Sequence, residues 1–254
     1  MLTKLFLSLL ATSSLIAGYP TEASPRGVME EEVDSISNQL SKRAPSGPPG
    51  FDISNYQPNV DFASAKSKGA KFVIIKATEG TTYKSPSFSK QYTGATNAGL
   101  IRGSYHFAHP DSSSGATQAN YFLANGGGWS NDGITLPGML DLESSSGSPT
   151  CYGLSKAGLV SWIKDFGSTY KSKTGRYPMI YTNAGWWNQC VASSAFAADY
   201  PLVVAHYGSS TAGPLPTGFS TYSFWQWNDA SVYAGDSDVW NGDAASLTKF
   251  AKGG

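Results

Sequence analysis

The sequence predicts an α/β fold, a single-domain irregular TIM-like (β/α) barrel with fewer helices than strands in its second half. Short apolar runs alternate with helical patterns from about residue 50 onward, and after residue 177 the strand patterns have less helix between them. An open doubly wound sheet is the alternative. The sequence lacks the glycine-rich phosphate loop that would favour an open sheet, because Asn125-Gly-Gly-Gly128 follows a helical pattern rather than a strand.

Each element is predicted from its periodicity and its end signals. Two glycines, Gly69 and Gly99, end the first two helical patterns, and the longest helix places apolar residues on one face at three- and four-residue spacing. The predicted strands cover residues 50–54, 71–78, 100–107, 139–143, 177–182, 201–207 and 222–227. The predicted helices cover residues 60–68, 85–98, 115–125 and 155–172.

Residues 1–43 are predicted to be targeting and processing segments. Lys4 precedes an apolar run that ends among small residues near Ala17-Gly18, which is typical of a signal peptide over residues 1–18. Residues 19–43 are acidic and end in Lys42-Arg43, which favours a pro-peptide removed after this pair over a disordered arm that stays attached. Residues 44–254 then form one domain, and we expect it to be secreted and extracellular.

Composition narrows the range of partners. The formal net charge is zero and only 14% of residues are charged, which argues against nucleic acid or an anionic membrane surface as the main partner. Aromatic residues make up 13% of the chain, a content often found in secreted proteins that handle sugars. The two cysteines, Cys151 and Cys190, are expected to form a disulfide in a secreted protein.

A pair of acids ends the strand at residues 139–143. In an extended strand Asp141 and Glu143 point to the same side, with Cα atoms roughly 6.5–7 Å apart. Two carboxylates this close repel each other, so we expect one of them to keep its proton to a higher pH. A protonated acid beside an ionised carboxylate is the arrangement needed for glycoside hydrolysis.

Polar and aromatic residues also end the other predicted strands, and a parallel barrel gathers such ends at one face. The acids among them are Asp52 and Glu79, and the side chains expected to bind substrate are Tyr105, Phe107, Tyr181, Tyr207, Gln226 and Trp227. No metal or other cofactor is expected. His106-Phe-Ala-His109 lacks the spacing and the glutamate of a zinc-protease helix, and no nucleophile elbow is present.

Several motifs together resemble those of glycoside hydrolase family 25, the Chalaropsis-type lysozymes. The opening motifs are Asp52-Ile-Ser-Asn-Tyr-Gln-Pro58 and Phe72-Val-Ile-Ile-Lys-Ala-Thr-Glu-Gly80. The later motifs follow in the order of the family: Tyr105-His-Phe107, Asp141-Leu-Glu143, Tyr181-Thr182, and Phe224-Trp-Gln-Trp227 with Asp238. The resemblance covers residues 49–254.

This resemblance implies an N-acetylmuramidase that cuts the β-1,4 bond between N-acetylmuramic acid and N-acetylglucosamine in bacterial peptidoglycan. Glu143 would donate the proton, and Asp141 would stay ionised and stabilise the positive intermediate, by direct attack or by orienting the substrate's N-acetyl group. Asp52 and Asp238 would tune the pocket, although Asp236 is an alternative to Asp238. Glu79 ranks lower as a catalytic group, because it could instead be a structural hydrogen-bonding residue. We expect a monomer.

Two other functions remain as alternatives. A non-catalytic glycan-binding protein on the same barrel would lack one of the expected acids, and none is missing. A chitin-type hydrolase would carry a fuller run of acids before Glu143, and only Asp132 precedes the pair.

Overall fold

The computed structural model describes residues 45–254. The predicted signal peptide and the predicted pro-peptide therefore lie outside the described residues. Nine strands are present in the described part: β1 Pro49–Ile53, β2 Phe72–Glu79, β3 Tyr83–Lys84, β4 Ile101–Phe107, β5 Met139–Asp141, β6 Met179–Thr182, β7 Leu202–Ala205, β8 Phe224–Asn228 and β9 Asp236–Trp240. The same part has six helices: α1 Phe62–Ser67, α2 Phe88–Asn97, α3 Gly115–Ala124, α4 Lys156–Thr174, α5 Ala184–Cys190 and α6 Ala244–Ala251.

Eight of the strands close into a barrel. Their order is β1-β9-β8-β7-β6-β5-β4-β2, and parallel pairing of β1 with β2 closes the ring, while β3 pairs only with β2. The predicted irregular (β/α) barrel is confirmed. Strands outnumber helices in the second half as expected, since β6 to β9 are accompanied only by the short helices α5 and α6.

Strand β9 was not predicted, and it makes the barrel mixed rather than fully parallel. It pairs antiparallel with both β8 and β1. The connection from β8 to β9 spans only residues 229–235, which is too short for the crossover that a parallel neighbour needs. A hairpin is the arrangement that so short a connection allows.

The inside of the barrel is apolar at the amino ends of the parallel strands. Phe72, Met139, Met179 and Phe224 form this layer, and Phe250 of α6 packs against Phe224 from below. Close packing here depends on Gly50, because a Cβ at that position would lie 2.5 Å from the ring of Phe72. The apolar layer therefore leaves only the opposite end of the barrel for polar side chains.

Helices cover much of the outer surface of the barrel. Helix α4 begins at the N-cap Ser155, ends at Gly175 in the left-handed region, and buries the apolar face predicted from its spacing. The outer faces of β7 and β8 are covered mainly by loop residues such as Ala212 and Phe219. Within residues 45–254, no helix combines the length and the apolar character needed to cross a membrane.

The expected disulfide between Cys151 and Cys190 is present, with a Cα–Cα distance of 5.3 Å. It joins the loop after β5 to the last residue of α5. In the chain-entropy model a loop of 39 residues corresponds to about 4 kcal/mol of stabilisation. The bond braces the segment that follows Glu143.

Candidate active site

The carboxyl ends of the parallel strands surround a cavity of about 270 Å³. Four carboxyl groups, one amine and several aromatic or polar side chains line it. The lining residues are Asp52, Ile53, Ser54, Tyr56, Gln57, Lys76, Tyr105, Phe107, Asp141, Glu143, Gly235 and Asp236.

The two-residue period of the strands places these groups above the apolar layer. In β2, Phe72 and Ile74 point into the barrel, so Lys76 points inward one step nearer the carboxyl end. In β5, Met139 points inward and Asp141 follows it in the same way. The inward-pointing side chains therefore change from apolar to polar between one inward position of a strand and the next, two residues later.

Asp141 and Glu143 flank the cavity from the end of β5. The predicted strand reached Glu143, whereas the observed strand ends at Asp141 and Glu143 lies just beyond it. Leu142 between them is fully buried on the opposite side, so both acids reach the cavity. The hydroxyl of Tyr152 donates to the carbonyl oxygen of Glu143 at 2.8 Å, which fixes the backbone there.

The two acids of this pair differ in their surroundings. Asp141 is 5% exposed, and its Oδ1 has no hydrogen-bond partner among the described residues, whereas Glu143 is half-buried. Burial, reinforced by the charge of Glu143, raises the pKa of Asp141 well above its usual range. Burial also raises the pKa of Glu143. Burial disfavours a charge on either acid, so the pair as a whole retains a proton, and the ionised role expected of Asp141 stays a prediction.

Lys76 supplies a positive charge to the cavity and is the one basic residue in its lining within residues 45–254. Its Nζ donates to Oε2 of Glu79 at 2.6 Å and lies 4.8 Å from the centre of the Phe107 ring. This charge acts against the desolvation of Asp141 and Glu143 and draws the pKa of each back toward its usual range. Lys76 therefore favours one negative charge on the pair.

Glu79 lies outside the lining of the cavity. Its second oxygen, Oε1, bonds Nε2 of His109 at 2.8 Å, so both oxygens are engaged. Burial alone would raise the pKa of Glu79, but the hydrogen bonds from Lys76 and His109 outweigh it and lower the pKa. An ionised carboxylate paired in this way is suited to holding Lys76 in place and unsuited to donating a proton.

Asp52 and Asp236 lie on the opposite wall, on directly paired positions of β1 and β9. Nε2 of Gln226 donates to Oδ2 of Asp52 at 2.6 Å and to Oδ2 of Asp236 at 3.2 Å. Burial, followed by the charge of Asp236, raises the pKa of Asp52 to about 7. Asp52 is therefore partly protonated at neutral pH.

Asp238 lies beneath the cavity rather than in its wall. It is 1% exposed, and neither of its oxygens receives a hydrogen bond from a nitrogen or hydroxyl donor of the described residues. Burial, followed by the charges of Asp52 and Asp236, raises the pKa of Asp238 well above its usual range, so Asp238 keeps its proton. A neutral Asp238 lowers the pKa of Asp52 rather than raising it.

The residues expected to bind substrate occupy three kinds of position. Tyr105 and Phe107 line the cavity. The hydroxyls of Tyr181 and Tyr207 both donate to Oε1 of Gln226. This places Gln226, which is 3% exposed, between the tyrosines and the acids. Trp227 follows Gln226 on β8 and packs on the outer face of the barrel, away from the cavity.

Sequence reasoning missed six residues that line the cavity, namely Lys76, Tyr56, Gln57, Ile53, Ser54 and Gly235. Lys76 had a usable signal, because a lysine at an inward position of a buried strand needs a charged partner. Tyr56 and Gln57 follow β1 in a turn, where periodicity gives no orientation. Within residues 45–254, no group of three or more His, Cys, Asp or Glu side chains could hold a metal ion.

The geometry matches general acid–base chemistry. One cavity holds a carboxyl pair that keeps a proton, an amine that limits the negative charge of this pair, and two further acids on the opposite wall. A comparison with known families points the same way, because the sequence model described as "Glycosyl hydrolases family 25" matches residues 51–236. The chain belongs to this family. It is therefore a glycoside hydrolase.

Relatives within the family are similar along most of their length. The N,O-diacetylmuramidase of Arthroderma benhamiae is 59% identical over 206 residues, which cover 81% of this chain and 87% of the relative. The N,O-diacetylmuramidase of Chalaropsis sp is 56% identical over 208 residues, which cover 80% of this chain and 99% of the relative. Lysozyme M1 of Streptomyces globisporus is 49% identical over 212 residues, which cover 81% of this chain and 72% of the relative.

Solved structures share the fold. A muramidase from Trichobolus zukalii matches with a TM-score of 0.79 and 58% identity, over 81% of this chain and 99% of that one. A family 25 lysozyme from Aspergillus fumigatus matches with a TM-score of 0.80 and 53% identity, over 82% of this chain and 100% of that one. The barrel is thus that of a family 25 hydrolase.

Proposed function

We propose that this glycoside hydrolase is a lysozyme, an N-acetylmuramidase that cleaves the β-1,4 bond between N-acetylmuramic acid and N-acetylglucosamine in bacterial peptidoglycan. The observation that carries the proposal is the pair Asp141 and Glu143, held beside Lys76 at the carboxyl end of the barrel. Relatives at 49–59% identity carry the names muramidase or lysozyme. The similarity to these relatives supports the choice of bond, and the acids in the cavity support hydrolysis by general acid–base catalysis.

In the proposed mechanism Glu143 donates a proton to the oxygen of the leaving sugar. Glu143 is the more accessible acid of the pair, and Tyr152 fixes its backbone. Asp141 lies deeper and stabilises the positive charge that develops on the reacting sugar once the proton has left the pair. Asp52, aligned by Gln226, completes the opposite wall. Glu143 then acts as base for the incoming water, so each step uses a group already in place.

The same proposal extends to location and partners. We infer that the enzyme is secreted and acts outside the cell as a monomer on bacterial cell walls, with neither nucleic acid nor membrane as a partner. The apolar run before Gly18 and the dibasic Lys42-Arg43 support this route. N-terminal sequencing of secreted protein should begin at or near Ala44. A sequence that starts at Tyr19 or Pro20 would show that the acidic segment is retained.

The deciding experiment is mass spectrometry of the fragments released from purified bacterial peptidoglycan. Muramidase activity gives fragments with muramic acid at the new reducing end. Glu143→Gln, which keeps the shape of the side chain and lacks the proton, serves as the control. Fragments ending in reducing glucosamine would contradict the proposal and indicate a glucosaminidase. Release of sugars from chitin in place of peptidoglycan would favour the chitin-type alternative.

A further inference from the structure

An aromatic side chain is exposed to solvent at the mouth of the cavity. Tyr56 is 91% exposed, yet it lines the same cavity as Asp52 and Glu143. A tyrosine left this far in water contributes little burial energy to the fold. Single exposed aromatics are common on protein surfaces, so exposure alone indicates nothing. What distinguishes Tyr56 is how its backbone is held.

The turn that carries Tyr56 is fixed by buried polar contacts. Nε2 of Gln91, a residue only 1% exposed, donates to the carbonyl oxygens of Ser54 and Gln57, both at 2.8 Å. Within the turn, the amide of Tyr56 donates to Oγ of Ser54 at 3.1 Å, and the amide of Ser54 donates to Oε1 of Gln57 at 3.0 Å. A buried glutamine from α2 thus holds the turn from below.

A second anchor lies beside the first. Oγ of Ser87 donates to Oδ1 of Asn55 at 2.9 Å, which ties the other central residue of the turn to the start of α2. The fold therefore holds the turn in place while leaving the ring of Tyr56 free. A ring on a rigid backbone loses little entropy when it binds a ligand, which is how preorganised binding sites gain affinity.

We propose that Tyr56 is a stacking platform for a pyranose ring of the glycan chain, in an outer subsite next to the reacting sugar. This inference rests on the proposed function and adds a binding position to it. The C–H face of a pyranose is apolar and flat enough to lie on an aromatic ring, while its hydroxyls need polar neighbours. Ser54 and Gln57 line the cavity beside the ring and provide such neighbours.

The chemistry of the platform predicts which variants matter. Stacking uses the face of the ring, so Tyr56→Phe should behave like the wild type, whereas Tyr56→Ala should weaken binding of long glycan strands about tenfold, which corresponds to about 1.4 kcal/mol. The effect should fall on KM and leave kcat within about twofold, because the ring does not reach the reacting atoms. Strands too short to extend past the cavity should be insensitive.

The experiment measures kcat and KM on soluble glycan strands from bacterial peptidoglycan, fractionated by length. Tyr121→Ala is the matched control, since Tyr121 is a partly exposed tyrosine on α3 that does not line the cavity. Binding of the same strands, without turnover, is measured by calorimetry on Glu143→Gln with and without Tyr56→Ala.

Three results would overturn the platform. They are an unchanged KM and binding affinity for Tyr56→Ala, an equal change in Tyr121→Ala, or a fall in kcat with KM unchanged. A wild-type enzyme that releases no muramic acid ends would refute the proposed function instead. The calorimetric comparison would still test the platform in that case, so the two failures are distinguishable.

Discussion

Replacing Asp52 with asparagine should stabilise the protein at neutral pH. Burial raises the pKa of Asp52 to about 7, from 3.8 in an unfolded chain. The folded state therefore binds a proton that the unfolded state has released, and stability is lost as pH rises from about 4 to about 7. Above pH 7 the folded protein carries the full cost of an ionised Asp52, and below pH 4 this cost vanishes.

The magnitude follows from the size of the shift. A shift of about three pKa units corresponds to about 4 kcal/mol. Asp52 keeps some contact with solvent through the cavity, so about 2 kcal/mol is the expected gain for Asp52→Asn at pH 8. The amide oxygen of asparagine can still accept the hydrogen bond that Gln226 donates at 2.6 Å.

The assay is the free energy of unfolding in guanidinium chloride between pH 4 and pH 8, for wild type and variant. His106 is fully buried, and burial lowers its pKa to about 4. This histidine therefore lowers the free energy of unfolding of the protein as pH falls below about 6.5. Both proteins carry this residue, so its effect cancels in the difference. Asp199→Asn, at an exposed site that does not line the cavity, is the control. A variant less stable than wild type at pH 8, or a difference that does not shrink toward pH 4, would refute the reasoning.

Two further variants test the acid pair and its cation. Glu143→Gln should lower kcat about 10²–10⁴-fold while glycan binding persists, as measured by turnover and calorimetry; near-normal turnover would contradict the assignment of the proton donor. Lys76→Met should raise the apparent pKa values of the pair, because the opposing positive charge is lost, and should shift both limbs of the pH–rate profile to higher pH. Lys76→Arg, which keeps the charge, is the control for Lys76→Met. Equal pH–rate profiles for Lys76→Met and wild type would show that the charge of Lys76 has no role.

The sequence by itself predicted the features that depend on periodicity and chain order. Alternation of strand and helix patterns predicted the barrel, and the apolar spacing from Leu159 to Tyr170 predicted α4. The disulfide followed because a chain predicted to be secreted, with only Cys151 and Cys190, has a single possible pairing. That Asp141 and Glu143 point to the same side followed from the two-residue period of a strand. Each of these features is local or is fixed by elimination.

Tertiary structure alone decided the charge state of the cavity and the roles within it. Asp236 and Asp238 lie two residues apart on a strand that the sequence did not reveal, because a short, polar hairpin strand carries no clear period. Glu79, a candidate catalyst from the motif, forms an ion pair with Lys76 through geometry that a motif does not contain. The pKa of Asp52 is raised by burial under segments from across the chain, and it is partly drawn back by the carboxamide of Gln226, 174 residues away. Periodicity reports which way a side chain points, whereas its protonation depends on distances to neighbours that only folding brings together.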